Sequence, residues 1–457
     1  MVSKSPSSVS GTAEKKSRKA VPPLDAPGSP PLAEETPAPK ETEVAAVPNP
    51  EPVTATAVVP VSGPSSDTSS SDWAYGAEGG AHVVFVYTGT SPKYIGKLLR
   101  IRKISTHRDD PLEESSAVWR HQLLPRVLPS TLLVEAGAVE MDGEWLRELL
   151  GRAEGSRAEE RKKAGGLIKE IGDSPRVSMM ENLRMVPGGS AGKRVLAVEI
   201  KPKWGFLPSA SFISPPEAAA IKSQIGRYTL HQHYRGKSTG EGSYDPLDLF
   251  SGDEGRISHA LAGLWGIWRE TGGQANSFRV FVDGNIVHPD EVSQLSRPAL
   301  LQLTAPILIP LLRKSDALPI LRKLQASLDP TDISDIVARY RSAHPDTELF
   351  DESTVPDIRP DELIAFTTKY LADPDAGSAS DSWTLRERII AYSLSAIFKD
   401  CSIIVRAVLA PGSEEGWTIE DEGSTVKLLD LDLKPLKMRH WAELDEKIWK
   451  HWAETKG

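Results

Sequence analysis

A single cysteine, Cys401, in 457 residues rules out an intrachain disulfide and any zinc module built on paired cysteines, and fits a chain kept in a reducing compartment. No apolar run approaches the about 20 residues that span a bilayer, and the cationic-then-apolar pattern of a secretory signal is missing. No membrane partner is therefore expected. Excess basic charge is missing too: 54 Lys and Arg stand against 63 Asp and Glu, for a net charge of -9, which argues against a nucleic-acid coat or a polybasic anchor. Any polyanion site must be a local basic pocket. Residues 1–71 contain no aromatic side chain; rich in Ser, Pro, Ala, Thr and Glu, they are expected to form a disordered tail. Its cluster Lys15, Lys16, Arg18, Lys19 reads either as solvating charge or as a nuclear import signal, so the expected location is nucleus, cytoplasm or both.

Hydrophobic residues make up 39% of the chain, enough for a substantial core. The most informative stretch is Glu199–Pro208, EIKPKWGFLP. A short apolar, β-branched run, Arg194–Val198, predicts a strand leading into it, and Pro202 keeps the chain extended while withholding a ladder donor. Lys201 and Lys203, two apart, share one side of an extended segment. On the residues alone they are either solvated edge charges or a pair of cationic fingers for phosphate. Before this stretch, Tyr75–His82 is glycine-rich and lies between strand-like segments, a layout that places backbone amides over nucleotide phosphates but also suits an ordinary turn. Asp142–Lys163 predicts one helix that becomes fully exposed, carrying Arg157 and Arg161.

Beyond the central stretch, Pro216–Arg235 predicts a helix whose His231 and His233, at i and i+2, do not make a chelate. Ser251 is the expected cap of a helix over Arg256–Arg269. Residues 294–380 carry helical patterns and no catalytic motif. Arg386–Phe398 predicts a helix and Ile403–Leu409 a strand, with Asp400 at the junction as either a turn residue or a functional carboxylate. Val426–Leu429 predicts a strand that runs into Asp430 and Asp432, which share one face if the segment stays extended, as a Mg²⁺ site would need. The closing helix presents Trp441, Leu444, Ile448 and Trp452 as a core stripe.

Four ordered elements, EIKPKWGFLP, YDPLDLFSG (Tyr244–Gly252), KDCS (Lys399–Ser402) and DLDLKP (Asp430–Pro435), closely resemble signatures of the inositol-pentakisphosphate 2-kinases, and the likeness runs from about Trp73 to the C-terminus. The resemblance implies an α+β, two-lobed kinase-like fold: a small N-lobe, 72–178, with a sheet and the glycine loop, and a larger C-lobe, 179–457, with ATP between them. It implies ATP-dependent phosphorylation of inositol 1,3,4,5,6-pentakisphosphate at the 2-hydroxyl, with ATP and Mg²⁺ as cofactors, small molecules as the only partners, no nucleic acid, and a monomer. By the same resemblance Asp400 and Lys201 are catalytic. Gly79, Gly80, Arg100, Glu199 and Asp430 serve the nucleotide; Lys203, Arg279, Lys434 and Arg161 hold the inositol phosphate; and Asp430 with Asp432 holds the metal.

Ala77, His82 and Ala158 depart from the family's usual glycine, asparagine and proline. The plant members' Cys/His zinc site cannot be built with one cysteine, which suits a fungal-type member. A non-catalytic inositol-phosphate scaffold is the rival reading, but a pure binder gains nothing from Asp400 and Asp430 beside a polyanion. The missing HRD-x-x-x-x-N and DFG elements argue against a protein kinase.

Overall fold

Alternation along His82–Tyr87, with every second residue buried, marks a strand covered on one face. Arg194–Ile200 instead reads as a nearly continuous apolar run and is buried along most of its length, as a strand covered on both faces must be. These two strands lie in separate sheets of an α+β protein. A computed structural model describes residues 61–456 apart from 80–81, 104–110, 164–165, 168–170, 172–176, 188–192, 240–241, 292–303, 352, 379–381 and 412–416.

The first sheet contains β1 (Val61–Ser62), β2 (Trp73–Glu78), β3 (His82–Tyr87), β4 (Lys97–Arg102), β5 (Ala136–Glu140) and β6 (Val177–Glu181), in the order β1-β5-β6-β4-β3-β2. Its pairings are antiparallel except for β1 with β5. The second sheet is wholly antiparallel, β11 (Trp417–Leu429), β10 (Ser402–Pro411), β7 (Arg194–Ile200), β8 (Phe278–Val282) and β9 (Asn285–Val287) in that order. Each sheet has its own core. Trp73, Phe85, Tyr94, Leu99 and Ile101 meet Leu146, Leu149 and Leu150 of the helix Gly143–Ala153 on the first. The second packs against the helices Glu254–Glu270 and Thr304–Lys314.

Several expectations are corrected by packing. Residues 61–71 are ordered, not tail: Thr68 accepts the indole N–H of Trp73 at its hydroxyl (3.0 Å) and that of Trp145 at its carbonyl (2.9 Å), while residues 1–60 lie outside the described residues. Residues 111–132, expected with the first sheet, instead send Trp119, Leu123, Leu124, Leu128 and Leu132 into the second core. The helix expected over Asp142–Lys163 stops at Ala153; Arg157 is extended and fully buried, and donates to Glu78 (2.9 and 2.7 Å). Pro216–Arg235 is two helices, Pro216–Lys222 and Arg227–Tyr234, broken before Gly226. Asp253, not Ser251, caps Glu254–Glu270, accepting from the Arg256 N–H at 2.8 Å. In the last helix, Met438–Lys456, the buried face is Met438, Ala442, Asp445, Ile448 and Trp449. It is turned from the expected stripe because Asp445 must reach Lys222 at 2.6 Å.

A chain shortened to begin at Asp72 is expected to lose stability, because two indole N–H groups lose their acceptors, at roughly 1–3 kcal/mol for each buried group left unsatisfied. A thermal melt against a chain beginning at Pro60 should show Tm lower by about 2–5 °C; equal melting would mean that residues 61–71 contribute nothing.

Candidate active site

β7 ends at Ile200, and the chain leaves the sheet through Lys201, Pro202 and Lys203. Lys201 donates its N–H to the Ser277 carbonyl at 3.0 Å, whereas Pro202 offers no donor and its carbonyl accepts from the Tyr244 hydroxyl at 2.7 Å. Tyr244 opens the YDPLDLFSG element, whose Phe250 supports the same loop from below. A Cβ on Gly205 would lie 2.3 Å from the Phe250 ring, so only glycine fits there. The element is thus a buttress for the lysine loop.

Three loops converge here. Asp400 is the final residue of the helix Leu385–Asp400; its Oδ1 accepts from Lys203 Nζ at 3.0 Å and its Oδ2 from Lys434 Nζ at 2.6 Å. Burial works to raise this carboxyl, but the two ammonium groups outweigh it and hold it at about 2, so it is ionised throughout the neutral range. Asp430, just past β11, faces Lys201 Nζ at 3.3 Å and the Ser402 hydroxyl at 3.4 Å. The same hydroxyl donates to Glu199 Oε1 at 3.0 Å, and Arg279, opposite Glu199 in the β7–β8 register, comes within 3.7 Å of its other oxygen. Lys203 and Asp430 both adopt left-handed backbone, at φ 62° and 59°. Such strain in non-glycine residues persists where the surroundings over-determine it, and it collects at functional sites.

That backbone also corrects the expected single face for Asp430 and Asp432. A positive φ breaks strand alternation, and the two carboxylates take separate partners. Asp432 accepts from Arg100 Nη2 of the first sheet at 2.5 Å and from Arg120 Nε at 3.1 Å. Burial raises its carboxyl, yet Arg100 and Arg120 bring it down to about 2. His82 contacts Arg100 through Nδ1 at 3.1 Å and is neutral, pushed down to about 3 by burial and then by Arg100. The imidazole therefore serves as the acceptor of the Arg100 N–H, a role the asparagine usual in the family can also fill.

Gly79 closes the β2–β3 turn through its N–H to the His82 carbonyl at 2.8 Å, whereas Gly80 lies outside the described residues. Arg161 is exposed on the short turn Glu159–Lys162, near enough to Tyr75 to bias its phenol. Its neighbour Arg157 is the one drawn inward.

Sequence reading missed three groups. Arg120 on the turn after Pro111–Val118 holds Asp432 and keeps a buried Nη2 without a hydrogen-bond partner among the described residues. Arg184, drawn down by burial, stacks over the Phe281 ring at 4.1 Å and feels both Glu199 and Arg279. His231 is lowered to about 4 by burial, then by Arg227, Arg235 and Lys203. The i, i+4, i+8 spacing of residues 227, 231 and 235 places them on one helix face, a signal that comparing His231 only with His233 passes over.

A divalent cation fits part of this donor set. The Asp430 side chain is 57% exposed and has one lysine as its charged partner, leaving carboxylate oxygen available to a hard cation that also binds phosphate. Both oxygens of Asp432 are taken by arginines. Among the described residues no group of three or more His, Cys, Asp or Glu gathers as a ready-made metal cage.

Cations that outnumber the carboxylates they hold, gathered at the strand ends of the second sheet beside an arginine from the first, suit a phosphotransferase acting on a highly anionic small molecule. The chain matches the family model described as inositol-pentakisphosphate 2-kinase over residues 75–447, and it belongs to that family. It is 44% identical over 408 residues to an inositol-pentakisphosphate 2-kinase of Cryptococcus neoformans var. neoformans serotype D, covering 86% of this chain and 96% of that protein. The corresponding protein of Oryza sativa subsp. indica is 29% identical over 438 residues, 82% of this chain and 92% of its own. That of Arabidopsis thaliana is 25% identical over 437 residues, 84% and 93% of the two chains.

Proposed function

We propose that this enzyme transfers the γ-phosphoryl group of ATP to the 2-hydroxyl of inositol 1,3,4,5,6-pentakisphosphate, giving inositol hexakisphosphate, with ATP seated between the two sheets of a kinase-like, two-lobed arrangement. The observation that carries the reading is Asp400 held between Lys203 and Lys434, 3.0 and 2.6 Å away. An acceptor alcohol needs an oxygen to orient its O–H, and a pentakisphosphate needs cations on both sides of it. Phosphoryl transfer passes through a loose transition state in most accounts, so positioning and charge neutralisation supply most of the catalysis. A carboxylate held at about 2 is a weak base; Asp400 accepts the 2-hydroxyl hydrogen bond and aims the oxygen lone pair.

Lys203, Lys434 and Arg279 grip substrate phosphates, with Arg161 a further contact from the first sheet's side. Lys201 lies against the transferred group and grips the substrate phosphate beside it. Arg100, Glu199 and the Gly79–Gly80 turn serve the nucleotide, and Arg100 must then exchange Asp432 for phosphate oxygen. Asp430 would hold Mg²⁺, with Asp432 able to assist once released by Arg100; the ion would supply charge neutralisation to the nucleotide phosphates.

Incubating the full chain with ATP, Mg²⁺ and a pentakisphosphate lacking only the 2-phosphate, then resolving the products, tests the reading. Formation of the hexakisphosphate with one ADP each is expected, and unchanged substrates would overturn it. Lys201→Ala and Lys203→Ala should each weaken pentakisphosphate binding by roughly 1.5–3 kcal/mol, the size of a charge-assisted contact, about 10- to 150-fold in Kd. They should also flatten its salt dependence. A solvated surface lysine would change binding by under about 1 kcal/mol, so calorimetry at two salt concentrations separates the cases.

A further inference from the structure

Gln325 has no exposed surface. It lies on the helix Ala317–Ser327, in a region without any catalytic motif, yet its side-chain amide reaches the backbone of Lys203 and that of Phe398, two residues before Asp400. Oε1 accepts the Gly205 N–H at 2.8 Å. Nε2 donates to the Lys203 carbonyl at 2.9 Å and to the Phe398 carbonyl at 2.9 Å, so both amide hydrogens and one acceptor position are used. These are groups that regular structure leaves open. Residues 201–208 have neither helix nor strand, and Phe398 is in the last turn of its helix, where carbonyls lack an intrahelical donor.

One planar group thus joins the backbone of Lys203 to the backbone two residues before Asp400. Four residues on, Asp329 makes a parallel link through side chains: it binds Lys399 Nζ at 2.6 Å, and that ammonium sits 3.8 Å from the centre of the Trp204 ring. The Ser395 hydroxyl donates to the Gln325 carbonyl at 2.8 Å, fixing the helix that carries the amide to the helix that ends in Asp400.

We propose that Gln325 is a positioning residue that sets the register between the phosphate-gripping lysine loop and Asp400, and so the distance from the acceptor hydroxyl to the transferred phosphoryl group. The inference rests on the reading of Asp400 as the group that orients that hydroxyl. Gln325 touches no substrate. It acts through Lys203 and Asp400, and a slip of about 1 Å between them can cost on the order of 100-fold in rate.

Gln325→Leu keeps the volume and removes all three bonds; Gln325→Met, more adaptable, serves if the leucine variant does not fold, and melting curves establish which is read. Either is expected to lower kcat by about 10- to 100-fold while KM for ATP and for the pentakisphosphate stays within about threefold, because binding groups remain and alignment is lost. A plain packing role would not produce the second signature. In a Lys203→Ala background the same change should lower kcat by less than about threefold, since the register it sets no longer ends on a lysine. A parent-like kcat, or the full loss repeated in the Lys203→Ala background, overturns the proposal. Asp400→Asn measured alongside separates the two failures. If Asp400→Asn turns over like the parent, the reading of Asp400 has failed; if it is inactive and Gln325→Leu is parent-like, only the role of Gln325 has.

Discussion

Asp400→Asn is expected to reduce turnover by about 10²- to 10⁴-fold, the range that loss of alignment and of the charge at the reacting hydroxyl can produce, while pentakisphosphate binding stays equal or tightens. The two effects have one origin. Asparagine is nearly isosteric and keeps an acceptor oxygen, but it presents no negative charge to the alcohol or to Lys203 and Lys434, which lose the partner they now share. Those ammonium groups then turn their full charge on a polyanionic ligand. The side chain is 51% exposed, so the fold should tolerate the change, and a melt confirms that rate and stability are read separately. A depressed carboxyl is ionised above its unfolded value near 4 and protonates only as pH falls toward about 2. The parent's kcat should therefore show no step from Asp400 between about pH 5 and 8. Turnover near that of the parent would reduce Asp400 to a salt-bridging turn residue.

Much of this site was legible because its residues sit at element ends that local rules predict. The strand before Lys201, the helix before Asp400 and the strand before Asp430 follow from periodicity, and the four anchor elements supplied the partners. What was not legible depended on long-range pairing. Arg157 has the surroundings of an exposed helix until Glu78, some eighty positions earlier, is known to lie against it. Asp445 occupies a helix position that hydropathy assigns to solvent, and Lys222 draws it inward. The Asp430–Asp432 pair was misjudged because alternation assumes extended backbone, and the left-handed turn at Asp430 is imposed by its surroundings. Gln325 gave no signal at all: a lone glutamine among leucines reads as a helix surface residue until its three backbone partners are in view.

The second large effect concerns a buried ion pair behind the site. Lys399 and Asp329 are each 2% exposed at the side chain and 2.6 Å apart, and the ammonium is boxed by Trp204, Tyr392 and Phe206 at 3.8, 4.6 and 5.3 Å. Burial pushes Asp329 up to about 6 and Lys399 down, so desolvation offsets much of the attraction between them. Such a pair is costly to break and inexpensive to replace as a unit. Lys399→Met keeps the alkyl stem on Trp204 but leaves the buried Asp329 without its hydrogen-bonded cation, beside the like charge of Asp332 and with Lys222, itself paired to Asp332, as the nearest remaining cation, which should destabilise the fold by about 3–5 kcal/mol. The sign with pH follows from the folded pKa. With its lysine gone Asp329 titrates still higher, so the variant should gain stability as pH falls from 8 toward 5 relative to the parent. Replacing both partners, Lys399→Met with Asp329→Leu, should restore most of the loss and remove that pH dependence. Chemical denaturation at pH 5 and pH 8 reads all three proteins. A single variant within about 1 kcal/mol of the parent, or a double variant no more stable than the single, would show that the pair is solvated well enough to need no partner.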